Sequence, residues 1–191
     1  MNTRRRRTSE TPAPSATGDA ERVILVDEED RELGSEEKLR AHEAGALHRA
    51  VSVFLFDDQG RLLLQQRAEG KYHSAGLWSN TCCGHPRPGE SAADAAARRL
   101  REEMGIACDL TPRFVFRYRA GLDGGLTEHE LDHVFTGRFT GTPSPDPREV
   151  EAWGWMSLPA LAADCETSPH RYSAWLPIAV REILARGLDP T

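Results

Sequence analysis

The sequence predicts an α/β fold: one domain in which a mixed β-sheet is sandwiched between helices. Strand-like runs dominate the chain, only two or three amphipathic helical stretches interrupt them, and no internal repeat divides it. That mixture suits a sheet covered by helices. At 191 residues the chain is long enough for one proper core and a loose end.

The elements follow in order. Residues 1–20 open with MNTRRRRTSETPAPSATG, an arginine run followed by Pro, Ser, Thr and Ala without periodicity. They read as a disordered basic tail, with the domain itself over 21–191. RVILVD (22–27) reads as a short strand, and SEEKLRAHEAG (35–45) as a loop or short helix. HRAVSVFLFD (48–57) is rich in β-branched and aromatic residues and reads as a strong strand. With the turn DDQG (57–60) and the run RLLLQQR (61–67) it forms a hairpin. LWSNTCC (77–83) is extended and HPRPG (85–89) is a turn-rich loop. SAADAAARRLREEM (91–104) is a helix capped by Ser91 with Asp94, stopped at Gly105, and apolar along Ala93, Ala96, Ala97, Leu100 and Met104. RFVFRYRA (113–120) and TEHELDHVFTGRFT (127–140) are strands joined through an Asp-Gly turn. VEAWGWM (150–156) is a further strand, SLPALAADC (157–165) a short helix, and SAWLPIAVREILARG (173–187) the closing amphipathic helix.

Thirty acidic residues against 24 lysines and arginines give a net charge of -6. That excludes nucleic-acid binding by bulk electrostatics, although the arginine run alone could meet an acidic surface. No apolar run approaches the ~20 residues of a membrane span. The N-terminus lacks the apolar middle of a secretory signal, so a cytoplasmic setting is expected. The four cysteines, Cys82, Cys83, Cys108 and Cys165, show no C-x-x-C pair. Adjacent strand residues face opposite ways, so Cys82 and Cys83 have different surroundings and no mutual disulfide.

Around the first long helix, Gly84, Glu90, Arg98, Leu100, Glu102, Glu103, Gly105 and Ile106 are spaced as G-x5-E-x7-R-x-L-x-E-E-x-G-I. Taken singly, these charges are ordinary salt-bridging groups on a wet helix face. Together, carboxylates beside a glycine loop provide what a Mg²⁺ on substrate phosphates requires. The string resembles the Nudix box, and the resemblance implies an α/β/α sandwich that handles diphosphates with a divalent metal. One position departs: Arg99 stands where that box usually has a glutamate. A cation there opposes metal-activated hydrolysis and favours gripping a diphosphate.

Farther on, strand alternation in EHELD puts Glu128, Glu130 and Asp132 on one face, with the two glutamates about 7 Å apart at Cα. Paired carboxylates call for a cation, and His42, His48 and His85 are available to complete its shell. Three histidines and two glutamates suit Mn²⁺, Mg²⁺ or Zn²⁺. His73, His129, His133 and His170 read as structural or exposed.

The pieces AHEAGALHRAVSVFLF, LWSNTCCGHPRPGE, FRYRA, TEHELDHVF and YSAWL, in this order around a modified Nudix box, resemble the type I isopentenyl-diphosphate isomerase family. The resemblance runs from about residue 22 to 187. It implies transposition of a double bond in a five-carbon diphosphate, with Cys83 and Glu130 as the acid/base pair and Tyr118 and Trp175 as active-site aromatics. It implies His42, His48, His85, Glu128 and Glu130 as ligands of an internal metal, and Glu103 as a holder of Mg²⁺ on the diphosphate. Lys38, Arg67, Lys71 and Arg99 are the implied diphosphate-binding cations. Trp175 is either an aromatic face over a developing carbocation or the anchor of the closing helix. Tyr118 either hydrogen-bonds Glu130 or only packs. A small isoprenoid diphosphate is the expected partner, with no nucleic acid and no membrane, and the chain is expected as a monomer or weak homodimer. Two rivals stand beside this reading: a Nudix pyrophosphohydrolase and a non-catalytic binding module.

Overall fold

The computed structural model describes residues 21–188. The basic tail expected over 1–20 lies outside the described residues. Strands β1 (Arg22–Val26) and β2 (Glu32–Glu37) pair antiparallel, then helix α1 (Lys38–Ala44) leads into β3 (His48–Phe56). The second strand was not legible as one: ELGSEE is poor in strand formers, and its pairing with apolar β1 supplies the order that propensity does not. Its charges suit an edge position.

Strand β3 organises the sheet. Along one edge it runs parallel to β8 (Thr127–Arg138) over its full length, from His48↔Glu130 to Phe56↔Arg138. Its other edge is shared among three partners: β1 at His48, β6 (Cys82–Gly84) at Val51–Val53, and β4 (Arg61–Arg67) at Phe56. The expected hairpin of β3 and β4 therefore exists only at its turn, with the single pair Phe56↔Leu62. Beyond that pair the strands splay, and β4 goes on to ladder with β9 (Val150–Ser157) and β5 (Trp78–Ser79).

A two-residue wedge, Asn80-Thr81, fills the split. The Thr81 hydroxyl donates to Leu63 O at 2.6 Å and accepts from Leu55 N at 2.9 Å, bridging the two diverging strands. Asn80 Nδ2 donates to Val53 O and Cys82 O. Both residues are buried, so these bonds satisfy backbone groups that the lost ladder leaves open.

Pairing fixes which side chains share a face. Phe54, Phe56, Phe116 and Val134 lie on one side, under α3 (Leu158–Thr167) and α4 (Leu176–Ala185). Val51, Val53, Leu55 and Phe135 lie on the other, under α2 (Ala92–Met104). Each such buried side chain contributes about 1.5–3 kcal/mol. The two faces make the α/β/α sandwich. Helix α4 begins at Leu176, three residues later than the apolar pattern suggested, because Ser173 is tied to β5 through its amide to Trp78 O at 2.9 Å. On α2 the buried positions are Ala95, Ala96, Leu100, Glu103 and Met104, so Ala93 turns outward and Glu103 inward.

Gly105 ends α2 in the left-handed region at φ 65, and a Cβ there would lie 2.3 Å from Ser144 O. Gly105→Ala is expected to lower stability by at least about 1–3 kcal/mol, read as a shifted urea midpoint at unchanged slope. An unchanged midpoint contradicts this account. No helix among the described residues is long and apolar enough to cross a membrane.

Candidate active site

A cavity of about 200 Å³ opens at the sheet split. The same register that builds the core aims its walls. Cys83 pairs with Ser52 across β6–β3, and Glu130 pairs with His48 across β8–β3 and with Tyr118 on β7 (Thr111–Gly121). All five side chains therefore leave the sheet on the α3–α4 side. Cys82, one residue away, is fully buried against α2. The adjacent cysteines face opposite sides, as expected, and both are free thiols.

His42 on α1, His48 on β3, His85 beyond β6, and Glu128 and Glu130 on β8 converge. One ligand atom from each lies within 4.8 Å of all the others, and all five residues are buried. Backbone carbonyls orient two of the rings: His42 Nδ1 meets Lys38 O at 2.7 Å and His48 Nδ1 meets Ala46 O at 2.8 Å. Each thereby points Nε2 inward. His42 Nε2, His48 Nε2 and Glu128 Oε2 are buried without a hydrogen-bonding partner. Burial, with Lys38 and His48 adding to it, holds His85 well below the usual imidazole range, which favours the neutral ring. Orphaned inward nitrogens beside two carboxylates fit a divalent cation with mixed N/O preference.

Glu130 links this cluster to the cavity. Its Oε1 meets His85 Nε2 at 2.9 Å, and its Oε2 accepts from the Tyr118 hydroxyl at 2.5 Å. Burial pushes its carboxyl up, but the nearby His48 imidazole, 3.6 Å away, and the hydrogen bond from Tyr118 outweigh that and hold it below the usual range. Of the two readings of Tyr118, the hydrogen-bonding one is seen. The Cys83 thiol behaves oppositely: burial first, then the charges of Glu103 and Glu130, push it up to about 12 against the pull of Arg67 and Lys71. The sign is simple, since a raised thiol pKa keeps the proton on sulfur throughout the neutral range. Metal-free protein is expected to alkylate at Cys83 with a rate that still climbs at pH 10. A plateau near pH 8 contradicts this electrostatic picture.

Lys38, Arg67, Lys71 and Arg99 also line the cavity. Gly84 makes room for Arg99, whose Cγ and Nε would lie 3.0 Å from a Cβ there. Arg99 bonds Glu103, which also accepts from Gln65 Nε2 at 2.7 Å. Arg67 donates to the carbonyls of His73 and Ser74 at 3.1 and 3.2 Å and lies over the Trp175 ring at 5.2 Å. Trp175 is both anchor and wall: it precedes α4, its Nε1 donates to Asn80 Oδ1 at 3.1 Å, and it lines the cavity.

Other wall residues were set aside or passed over in the sequence, among them His73, Glu21 and Glu149. His73, expected to be structural or exposed, is buried in the cavity wall, 3.7 Å from Glu128 and edge-on to Trp175. Its burial comes from Arg67 gathering the 73–74 backbone, a tertiary event without a local signal. Glu21 pairs with Lys38 at 3.0 Å, and Glu149 pairs with Lys71 and Arg99. His129 and His133 are structural as expected, bonding Gly45 O and Asp30.

A family model described as NUDIX domain matches residues 46–176. An Aromatoleum aromaticum protein named isopentenyl-diphosphate Delta-isomerase 1 is 58% identical over 165 residues, covering 86% of this chain and 93% of that protein. The chain belongs to the isopentenyl-diphosphate Delta-isomerase family. A second Aromatoleum aromaticum protein, isopentenyl-diphosphate Delta-isomerase 2, is 54% identical over 170 residues, with 88% of this chain and 90% of that protein covered. Among solved structures, one from Deinococcus radiodurans superposes with a TM-score of 0.72 at 23% identity, over 85% of this chain and 98% of that one. That likeness concerns the fold. Isomerase membership is carried by the sequence relatives, and it gives the Arg99 departure from the Nudix box its context.

Proposed function

We propose that this protein interconverts isopentenyl diphosphate and dimethylallyl diphosphate. The observation that carries the reading is one cavity whose walls hold a thiol, a cluster-tethered carboxyl and four cations. Moving the double bond adds a proton to the terminal alkene carbon and removes one from the carbon next to the CH₂O group. Two proton-holding groups of fixed geometry are therefore needed. Cys83 and Glu130 are assigned to them. In the protein alone, Cys83 Sγ carries its proton and Glu130 does not, and a reversible isomerisation uses the pair in both orders.

Tyr118 holds Glu130 by its hydroxyl. Trp175 presents an aromatic wall, which favours developing positive charge by about 0.5–2 kcal/mol. Lys38, Arg67, Lys71 and Arg99 grip the diphosphate, and binding energy from that remote group positions the alkene. A Mn²⁺, Mg²⁺ or Zn²⁺ held by His42, His48, His85, Glu128 and Glu130 would fix Glu130 and tune its acidity, and Mg²⁺ at Glu103 would offset the diphosphate charge. The proposed setting is the cytoplasm, as a monomer or weak homodimer serving isoprenoid synthesis. Free cysteines suit a reducing compartment.

Incubation with isopentenyl diphosphate and Mg²⁺ in D₂O tests the reading. Deuterated dimethylallyl diphosphate is expected, and phosphate release without isomerisation would overturn it in favour of a hydrolase.

A further inference from the structure

Three of the four cations that line the cavity are paired with carboxylates. Lys38 is paired with Glu21, Lys71 with Glu149, and Arg99 with Glu102, Glu103 and Glu149. Glu149 is the link between two of the four cations: its Oε2 takes the Lys71 ammonium and stands 3.5 Å from Arg99 Nη2. Its position is built. Its carbonyl accepts from Ala68 N at 3.0 Å, which ties the start of β9 to the end of β4, and its own amide bonds Asp146 O at 2.9 Å. Glu103, buried on α2, bonds the same Arg99 nitrogen. Beside Glu103, Gln65 leaves Oε1 buried without a hydrogen-bonding partner, so an unused oxygen acceptor lies against that carboxylate.

A site meant only for a bare polyanion would not be lined this way. A bare diphosphate entering here gains Lys71 and Arg99 but meets Glu103 and Glu149 at the same place. A diphosphate that brings its own divalent cation meets both signs correctly: oxygens of the carboxylates for the metal, guanidinium and ammonium for the phosphate oxygens. We infer that Glu149, acting with Glu103, is a specificity-determining residue that makes the clamp select the metal complex of a diphosphate over the bare anion. The inference rests on the proposed reading of this cavity as a diphosphate site. Glu149, just before β9, supplies a carboxylate beside the guanidinium that takes the place of the helix's usual glutamate. Selection here is repulsion of the wrong form as much as attraction of the right one.

The test uses the full chain with its internal metal as purified, and inorganic diphosphate as the probe, titrated calorimetrically with and without added Mg²⁺. Glu149→Gln is expected to tighten binding of bare diphosphate and weaken that of its Mg²⁺ complex. The ratio of the two affinities should fall by about 10-fold or more. Glu149→Ala should move the ratio the same way. A ratio within about twofold of the native one overturns the inference. So does a parallel loss of both affinities, which is what a merely structural tie between β4 and β9 would give. Native protein that binds no diphosphate even with Mg²⁺ overturns both this inference and the clamp reading, whereas normal isomerisation with an unchanged ratio removes only the role of Glu149.

Discussion

Replacing Cys83 by alanine is expected to cut kcat by about 10³–10⁴, the scale of a lost general acid or base, while leaving the thermal unfolding midpoint within a few degrees. The sulfur is the only part of the side chain removed, and it borders an existing cavity rather than closed packing. The packing cost is therefore small compared with a buried large-to-small change. Serine should not rescue: a hydroxyl holds its proton even more tightly than a thiol already pushed up to about 12. Cys82→Ala gives the opposite profile. That sulfur packs at 0% exposure against α2, so stability falls and turnover stays. Near-normal turnover in Cys83→Ala would remove the thiol from the proton-transfer pair and with it the present mechanism.

How far the site could be read from sequence depends on the range of each signal. Strand alternation is local, and it suffices for the shared face of Glu128 and Glu130 and the opposed faces of Cys82 and Cys83. Helix capping is local too, so Ser91 and Gly105 bounded α2 as expected. Convergence is not local. That α1 delivers His42 to the end of β3 depends on the αL turn at Gly45, and in sequence it was carried only by the family resemblance. The β3–β4 hairpin failed beyond its turn because an Asn-Thr pair out-competed ladder hydrogen bonds. Nothing in the composition of RLLLQQR announces that. β2 escaped notice because its partner, not its own residues, makes it a strand. Glu149 and His73 escaped for a related reason. Each is one polar residue in a loop-adjacent segment, and its role exists only through Arg99 or Arg67 arriving from another element.

Glu130→Gln is expected to lose both activity and metal, by separable amounts. The side chain keeps its shape, and its carbonyl oxygen can still accept from Tyr118. What goes is the charge that faces His48 and His85 and one oxygen of the five-donor cluster. Changing groups that merely support a metal ligand costs about 10–100-fold in metal affinity, so loss of a ligand should cost at least about that. Metal content after dialysis should fall accordingly, with His42→Gln and Glu128→Gln behaving alike. The distinguishing result comes on adding excess metal. For Glu128→Gln, refilling the site should recover much of the turnover, because that residue only holds the ion. For Glu130→Gln, refilling should leave turnover about 10³-fold or more below native, because an amide can neither release nor accept the proton that the carboxyl exchanges with the alkene. Full recovery of Glu130→Gln at saturating metal would show that Glu130 is a ligand and nothing more, and the second proton would then have to be sought at the Tyr118 hydroxyl, 2.5 Å away.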